Sequence, residues 1–267
     1  MKQIPNFFTL LNLIFGCIAI VFIMQPGETI LRLDDGGAAQ VMLPERMTWG
    51  ALFLFAAAAV DFLDGFLARL LKASSGMGEQ LDSLSDMVSF GVAPGMILYQ
   101  FLRLSFAQQE DGLDVSFGSL LPAFLFTAAV AWRLAKFNIS TTQKYHFEGV
   151  PSPAAGLVVA SFPLILWYPK FELAALFLNH WFLYAVILLL AFLMVSRIPF
   201  LALKFRDYSL KNNASTYGLL IAAVLGALFL GWLAVPVVFA LYVVLSLVRP
   251  PRPAPTTGTN ASLDITV

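Results

Sequence analysis

The chain has 267 residues, of which 59% are hydrophobic and 12% are charged. Ordinary soluble domains carry about 45–50% apolar and about 25% charged residues, so this composition indicates an integral membrane protein. The formal net charge of zero excludes the basic field that a nucleic-acid-binding protein needs, and the single cysteine excludes a disulfide framework or a multi-cysteine metal site.

Apolar runs of the length needed to cross a bilayer recur along the chain. The predicted spans are 7–24, 47–70, 87–107, 118–137, 150–168, 173–195, 216–232 and 234–248. The last two are separated by a short break near Ala234 and could form one hairpin-like unit, so the range is six to eight spans. We predict an all-α polytopic helix bundle, with a six-helix core and two additional C-terminal spans, over residues 1–248. The Pro/Thr-rich tail 249–267 is predicted to be a disordered cytoplasmic segment.

The distribution of basic residues predicts the orientation of the spans. The first run is predicted to be a retained helix rather than a cleaved signal peptide, because it stays apolar past Cys17. With the N-terminus inside, twelve of the sixteen Lys and Arg residues fall on the inner side, and the outer side receives Arg32, Arg46, Arg103 and Lys170. This excess follows the positive-inside rule and predicts a multi-pass protein of the cell's inner membrane.

The second and third runs contain acidic residues, which are costly inside a membrane. Asp61 and Asp64 are three residues apart and Asp82 and Asp86 are four apart, so each pair lies on one face of its helix. The Ser- and Gly-rich segment between the runs permits a reversal that brings the carboxylates together. Buried anions need compensating cations, and carboxylate oxygens are the ligands that Mg²⁺ and Mn²⁺ prefer. The same residues would also suit a proton or cation pathway in a transporter.

Small residues around these acids favour a metal and diphosphate site. Gly65 and Ala68 flank the first pair, and Gly78 lies four residues before Asp82, so substrate phosphates could approach the backbone. Arg69 suits a phosphate group. Transporters often have two paired halves, and no such symmetry is visible in this sequence.

Eight fixed positions summarise the acidic hairpin over residues 61–86. They read Asp61-x-x-Asp64-Gly65-x-x-Ala68-Arg69, eight residues, then Gly78-x-x-x-Asp82-x-x-x-Asp86. This pattern resembles the signature of the CDP-alcohol phosphotransferases at every defined position. Further segments scattered between residues 5 and 154 are most similar to the members of that family that use serine.

The resemblance implies transfer of the phosphatidyl group from CDP-diacylglycerol to L-serine by a homodimer, with two Mg²⁺ or Mn²⁺ ions. The distribution of basic residues predicts that the active site faces the cytoplasm. The resemblance also implies that Asp61, Asp64 and Asp82 are metal ligands and that Asp86 is both a ligand and the general base. The implied CDP-binding positions are Gly65, Ala68, Arg69 and Gly78.

Two alternatives stay open at this point. One is the same chemistry with glycerol 3-phosphate or an inositol compound as the acceptor, and the other is a cation- or proton-coupled transporter. A phosphorylated acceptor would call for an additional basic cluster. The basic residues available for it are Lys136, Arg197, Lys204 and Arg206.

Other polar and small residues each have two interpretations. Asn6 and Thr9 either cap the first helix or contact cytidine, because the resemblance places this helix beside the nucleotide. Asn12 is predicted to form an interhelical hydrogen bond, and Gly91 and Gly95 predict close helix packing or dimerisation.

Basic and aromatic residues predict the two boundaries of the membrane. Arg133 and Lys136 either extend from a helix end towards water or bind an anion. Arg133 lies about a turn deeper, so we expect it to bind a lipid phosphate or the serine carboxylate. The predicted aromatic belt on the outer side contains Trp167, Tyr168, Trp181 and Tyr184. His180 is assigned to this belt rather than to catalysis.

Overall fold

Helices account for almost all of the structure, which is a computed structural model. It describes residues 4–25, 31–33, 39–41, 45–71, 75–109, 115–139, 149–201 and 214–248. The helices are α1 (Ile4–Met24), α2 (Glu45–Leu70), α3 (Gly76–Asp86), α4 (Ala93–Ala107), α5 (Phe117–Leu120), α6 (Ala123–Ile139), α7 (Ser152–Trp167), α8 (Ala174–Phe177), α9 (His180–Val195), α10 (Ala214–Leu230) and α11 (Ala234–Val248). Two short strands, β1 (Leu31–Leu33) and β2 (Ala39–Val41), pair in an antiparallel arrangement. The predicted tail 249–267 lies outside the described residues.

Every predicted span contains a helix, so the prediction of an all-α membrane bundle is confirmed. Within the described residues, four stretches are long and apolar enough to cross a membrane: Pro5–Met24, Glu45–Leu70, Gly76–Ala107 and Thr216–Val248. The apolar helices α7 and α9 are shorter. The helical stretch that contains the predicted third span, 87–107, begins earlier, at Gly76. The additional N-terminal residues are polar, so the apolar run alone did not indicate them.

The hydrophobic core lies between α4, α6, α7 and α9. Large buried side chains from three of these helices meet there: Phe101, Phe126 and Phe162. The rings of Phe101 and Phe162 are 6.0 Å apart between centroids. Many apolar side chains on the outside of the bundle are exposed, including Phe62 at 67% and Phe229 at 69%, as expected for surfaces that face lipid.

The apolar stretch Thr216–Val248 folds back on itself. Gly231 has a φ of +60°, a left-handed conformation that glycine adopts without a steric penalty. A Cβ atom on Gly226 would lie 3.1 Å from the Cβ of Ala234, whereas eight residues of straight helix span about 12 Å. α10 and α11 are therefore the arms of a helical hairpin, as one of the two predictions for this stretch had it.

A wide π-helical turn, Met87–Val92, joins α3 to α4. The N–H of Ala93 donates to the carbonyl of Val88, five residues earlier, instead of the usual four. Pro94 accounts for the turn, because proline has no N–H and its ring clashes with the carbonyl four residues before it. Such turns are frequent at functional sites, and this one begins directly after Asp86.

The glycine face of the third span packs against α6 of the same chain. The hydroxyl of Thr127 donates to the carbonyl of Gly91 at 3.0 Å. A Cβ on Gly91 would lie 3.0 Å from Val130, and a Cβ on Gly95 would overlap the Thr127 hydroxyl. The prediction of close helix packing is confirmed for Gly91 and Gly95.

Aromatic side chains cluster at the end of α9 where the helix begins. The His180 ring stacks on Phe106 at 4.9 Å and lies 5.1 Å from the ring of Trp181. The hydroxyl of Tyr184 donates to the carbonyl of Ser119 at 2.6 Å. The structure thus brings together three residues of the predicted aromatic boundary, at the opposite end of the bundle from Asp86.

Candidate metal and substrate site

The end of α2 and the start of α3 bring the signature residues together. The N–H of Gly78 donates to the hydroxyl of Ser75 at 3.0 Å, which caps α3 after the reversal. One carboxylate oxygen from each of Asp61, Asp64 and Asp82 lies within 4.8 Å of the other two. The two helices therefore converge on a group of carboxylates, as the residue spacing predicted.

A cavity of about 290 Å³ opens beside these carboxylates. It is lined by residues of α1, α2 and α3, and it contains the predicted metal and nucleotide residues with the exception of Arg69. The predicted residues that line it are Asn6, Thr9, Asp61, Asp64, Gly65, Ala68, Gly78, Asp82 and Asp86.

Asp64 shows why this group of carboxylates fits a cation. The residue is 5% exposed, and its Oδ2 atom is buried without a hydrogen-bond partner. A buried carboxylate oxygen without a partner is costly unless a cation compensates it. Three converging carboxylates are a donor set for a hard divalent ion such as Mg²⁺ or Mn²⁺. The residues present therefore fit a divalent metal ion.

Asp86 lies in the same cavity but outside the group of three close oxygens. It is 8% exposed, and the side-chain amide of Asn12 donates to its Oδ1 at 3.4 Å. The predicted interhelical hydrogen bond of Asn12 is confirmed. Asp86 and Asp61 both line this cavity, and two carboxylates in such a confined space require a shared proton or a cation between them.

Two serine hydroxyls hold α1 against the helix that carries Asp86. Ser85 donates to the carbonyl of Thr9, and Ser89 donates to the carbonyl of Asn12, each at 3.0 Å. The Thr9 hydroxyl itself donates to Pro5 at 3.1 Å. Because α1 begins at Ile4, Thr9 and the nearby Asn6 lie inside the helix and do not cap it. Both remain in the wall of the cavity.

The two signature glycines face different surroundings. A Cβ on Gly65 would meet no atom within 4 Å, so this wall of the cavity is open to a ligand. A Cβ on Gly78 would lie 3.1 Å from Asn6 and 3.2 Å from Ser75, so this glycine is needed for packing. Arg69 is exposed, and its Nε donates to the carbonyl of Gly65 at 2.9 Å.

Arg133 lies within electrostatic range of Asp86 but does not line the cavity. Its Nη1 donates to the hydroxyl of Ser152 at 3.5 Å, and its Nε is buried without a hydrogen-bond partner. The guanidinium is close enough to Asp86 and Tyr242 for electrostatic interaction. A buried guanidinium nitrogen without a partner suits an anionic ligand. Lys136 is half-buried one turn further along α6.

Several residues of this region were not among the predicted site residues. Ser75 was foreseeable, because a serine before a helix start is a common cap. Glu79 lines the cavity beside the signature acids. Ser152 and Tyr242 come close to Arg133 only through the tertiary fold, and no local spacing in the sequence indicates that proximity.

The chain is similar to known lipid-synthesising enzymes. The CDP-alcohol phosphatidyltransferase family matches residues 2–195. The CDP-diacylglycerol–serine O-phosphatidyltransferase of Bacillus subtilis (strain 168) is 33% identical over 171 residues, which cover 62% of this chain and 81% of the relative. The enzyme of the same name from Helicobacter pylori (strain ATCC 700392 / 26695) is 32% identical over 212 residues, which cover 78% and 75%.

A third relative is matched over a smaller share of its own length. The Mycobacterium leprae (strain TN) protein of the same name is 35% identical over 185 residues, which cover 66% of this chain and 57% of the relative. All three relatives are named for the serine reaction, and none supports the transporter alternative. The family match includes α1 to α9 and ends before α10 and α11.

Proposed function

This chain belongs to the CDP-alcohol phosphatidyltransferase family, and from that premise we propose that it transfers the phosphatidyl group of CDP-diacylglycerol to L-serine, giving phosphatidylserine and CMP. The observation that carries the proposal is the convergence of Asp61, Asp64 and Asp82 within 4.8 Å at the wall of a cavity. Serine as the acceptor is supported by the names of the relatives and by the cation of Arg133 within electrostatic range of Asp86.

Asp61, Asp64 and Asp82 would hold divalent cations, Mg²⁺ or Mn²⁺, with Asp86 as a further ligand, and we propose two ions. Bound cations supply charge neutralisation for the donor diphosphate and for the departing CMP. α3 holds Asp82 and Asp86 in fixed positions, because Ser75 caps the helix and Ser85 bonds it to α1.

The donor would enter along the open wall at Gly65, with Ala68 and Gly78 beside it. Arg69 at the rim offers positive charge to a phosphate. We assign the cytidine contact to Asn6 and Thr9. The Thr9 hydroxyl already donates to Pro5, so it can act towards the base only as an acceptor, for example of the cytosine amino group.

Asp86 is the proposed general base. It accepts the proton of the serine hydroxyl while the serine oxygen bonds to the phosphorus that carries diacylglycerol. The bond from that phosphorus to CMP breaks, and CMP leaves with the electron pair. Asn12 fixes the orientation of the Asp86 carboxyl through its hydrogen bond. Arg133 binds the serine carboxylate with two parallel N–H groups, and Lys136 adds positive charge nearby.

The orientation and the assembly are also proposals. We propose that the carboxylate cavity faces the cytoplasm from the inner membrane, in agreement with the distribution of basic residues. We propose a homodimer as well. Its interface would use a surface other than the Gly91–Gly95 face, because α6 occupies that face.

The activity is tested with purified protein, CDP-diacylglycerol and three acceptors: labelled serine, glycerol 3-phosphate and inositol. We expect equal amounts of CMP and phosphatidylserine with serine, and no CMP above background with the other two. The Asp86→Asn variant serves as the inactive control. Faster CMP release with glycerol 3-phosphate or inositol than with serine would contradict the proposed acceptor. Lys204 and Arg206 were predicted to be available for binding a phosphorylated acceptor, and both lie outside the described residues.

The orientation is tested with single cysteines in a Cys17→Ser background. Met77→Cys and Ser116→Cys place exposed thiols at opposite ends of the bundle. An impermeant thiol reagent added outside intact cells should label the cysteine at position 116 and spare the one at position 77. The reverse pattern would overturn the cytoplasmic assignment.

A further inference from the structure

α11 lies beyond the residues that match the family, and it carries two buried hydroxyl groups in an otherwise apolar helix. Tyr242 is 8% exposed and Ser246 is fully buried. Buried polar groups need hydrogen-bond partners, and both hydroxyls bond to the same residue. The Tyr242 hydroxyl donates to the carbonyl of Leu201 at 3.1 Å, and the N–H of Leu201 donates to Ser246 at 3.2 Å.

The aromatic ring of Tyr242 reinforces this contact. It stacks on Phe200 with centroids 5.8 Å apart and an angle of 28° between the rings. Phe200 is 1% exposed. Two backbone hydrogen bonds and one ring stack therefore fix residues 200–201 on α11. We call this arrangement the Tyr242 clamp.

The segment held by the clamp supports the entrance to α7. The N–H of Gly149 donates to the carbonyl of Ile198 at 3.0 Å, and the N–H of Val150 donates to Leu193 at 3.1 Å. Gly149 has a φ of +74°, and a Cβ there would lie 2.5 Å from the carbonyl oxygen of Met194. This close approach tolerates only glycine, so the backbone at 149–150 has little freedom to move relative to the end of α9 and to Ile198, which leads directly to the clamped residues.

Arg133 lies at the end of this series of contacts. Ser152, which is 1% exposed, follows directly in the chain and accepts the hydrogen bond from Nη1 of Arg133 at 3.5 Å. Arg133 is also within electrostatic range of Tyr242 and of Asp86. The guanidinium is therefore bonded to α7 and lies in the neighbourhood of α11.

We propose that Tyr242 is a positioning residue for the acceptor. By fixing Leu201, the 149–150 backbone and Ser152, it holds the Arg133 guanidinium in one orientation, ready to bind the acceptor carboxylate. This inference rests on the proposed function, which assigns that carboxylate to Arg133. A fixed guanidinium loses less conformational freedom on binding, so the effect belongs to acceptor affinity rather than to the chemical step.

The test compares Tyr242→Phe with Tyr184→Phe. Both variants remove one hydroxyl that donates to a backbone carbonyl, and the bond of Tyr184 to Ser119 lies at the far end of the bundle. Tyr242→Phe should raise the serine KM about three- to tenfold, the equivalent of one lost hydrogen bond, with kcat and donor KM within twofold. Tyr184→Phe should change none of these constants. In an Arg133→Ala background, Tyr242→Phe should add nothing, because no guanidinium is left to position.

Hydrogen–deuterium exchange provides a readout that needs no substrate. The amides of Gly149 and Val150 should exchange faster in Tyr242→Phe than in the wild type or in Tyr184→Phe. The inference requires both the faster exchange and the selective rise in acceptor KM; the absence of either overturns it, as would full additivity with Arg133→Ala. If the wild type releases CMP with an acceptor other than serine, the proposed function fails, and the same comparison made with that acceptor decides the role of Tyr242.

Discussion

Two helical hairpins, α2–α3 and α10–α11, use the same architecture for opposite purposes. The first turns its polar side chains towards one another around a cavity, and an oxygen of Asp64 has no hydrogen-bond partner there. In the second, the buried hydroxyls of Tyr242 and Ser246 both bond to the backbone of Leu201. A hairpin with an unsatisfied polar group is built for a ligand, whereas a hairpin with satisfied polar groups is built to hold other parts of the protein.

This difference predicts how the two hairpins respond to substitution. Changes in α2–α3 should affect turnover and metal use, because we propose that those residues bind the metal and the reacting groups. Changes in α10–α11 should affect affinity moderately or have no effect.

Asp86→Asn should have the largest effect. Loss of a general base lowers kcat by about 10² to 10⁴-fold, while the similar shape of asparagine should leave CDP-diacylglycerol binding largely intact. Single-turnover kinetics and equilibrium binding of the donor separate these two quantities. Glu79→Gln is the matched control, because it removes a negative charge from the same cavity, and its kcat should stay within about tenfold. A kcat for Asp86→Asn in the range of that control would remove Asp86 from the chemical step.

Arg133→Ala should have the next largest effect, on the acceptor alone. A hydrogen bond to a charged group contributes about 1.5–3 kcal/mol, which corresponds to a rise of about ten- to hundredfold in the serine KM. Arg133→Lys should fall between, because the charge remains and the planar fork is lost. Serine and donor are varied separately in this measurement. A rise in the donor KM instead would assign Arg133 to the lipid phosphate, and no change in either constant would leave it as an ordinary helix-end cation.

Gly65→Ala should separate stability from function within the acidic hairpin. Alanine is about 1 kcal/mol more favourable than glycine inside a helix, and the open space around the Gly65 Cβ position means no clash. We expect a higher Tm together with a higher donor KM, because the methyl group occupies space left for the donor. Gly78→Ala is the counterpart, since its methyl group would press on the side chains of Asn6 and Ser75, so its Tm should rise less than that of Gly65→Ala. A donor KM that stays at the wild-type value in Gly65→Ala would show that the donor does not use this wall.

The smallest effect is expected on the outward face of α10. Phe229 is 69% exposed, and Phe229→Leu keeps an apolar side chain towards the lipid. Stability should change by less than about 0.5 kcal/mol, and all kinetic constants should stay at wild-type values. Thermal unfolding and steady-state kinetics check this. A marked loss of activity would mean that the second hairpin contacts substrate or another copy of the chain through that face.

Local spacing in the sequence predicted the parts of the molecule that depend on residues near one another in the chain. The helices, the convergence of Asp61, Asp64 and Asp82, and the packing of Gly91 and Gly95 all follow from helical periodicity. Asn12 was predicted to bond to another helix for the same reason, since an amide inside an apolar run needs a partner. Its partner, Asp86, could not be identified without the fold.

The remaining features depend on contacts between distant segments. The sequence placed Asp82 and Asp86 on the third helix, but it did not predict the start of that helix at Gly76, because the first turn is polar and rich in glycine. The π-helical turn before Pro94 could not be predicted, because a proline can either end a helix or be accommodated by a wider turn, and only the fold shows which occurs. The role of Tyr242 depends on Leu201 and Ser152, which come from separate parts of the chain.

We propose that the acidic hairpin supports CMP release only when it holds a divalent cation. Serine-dependent CMP release is measured while free Mg²⁺ or Mn²⁺ is raised from a chelated start, in the wild type, Glu79→Gln and Asp82→Asn. We predict no CMP release in chelator, full recovery in the wild type, near-normal recovery in Glu79→Gln, and a much higher metal requirement in Asp82→Asn, because an amide offers one neutral oxygen in place of a carboxylate. Full activity of the wild type in chelator, or an unchanged metal requirement in Asp82→Asn, would contradict the claim.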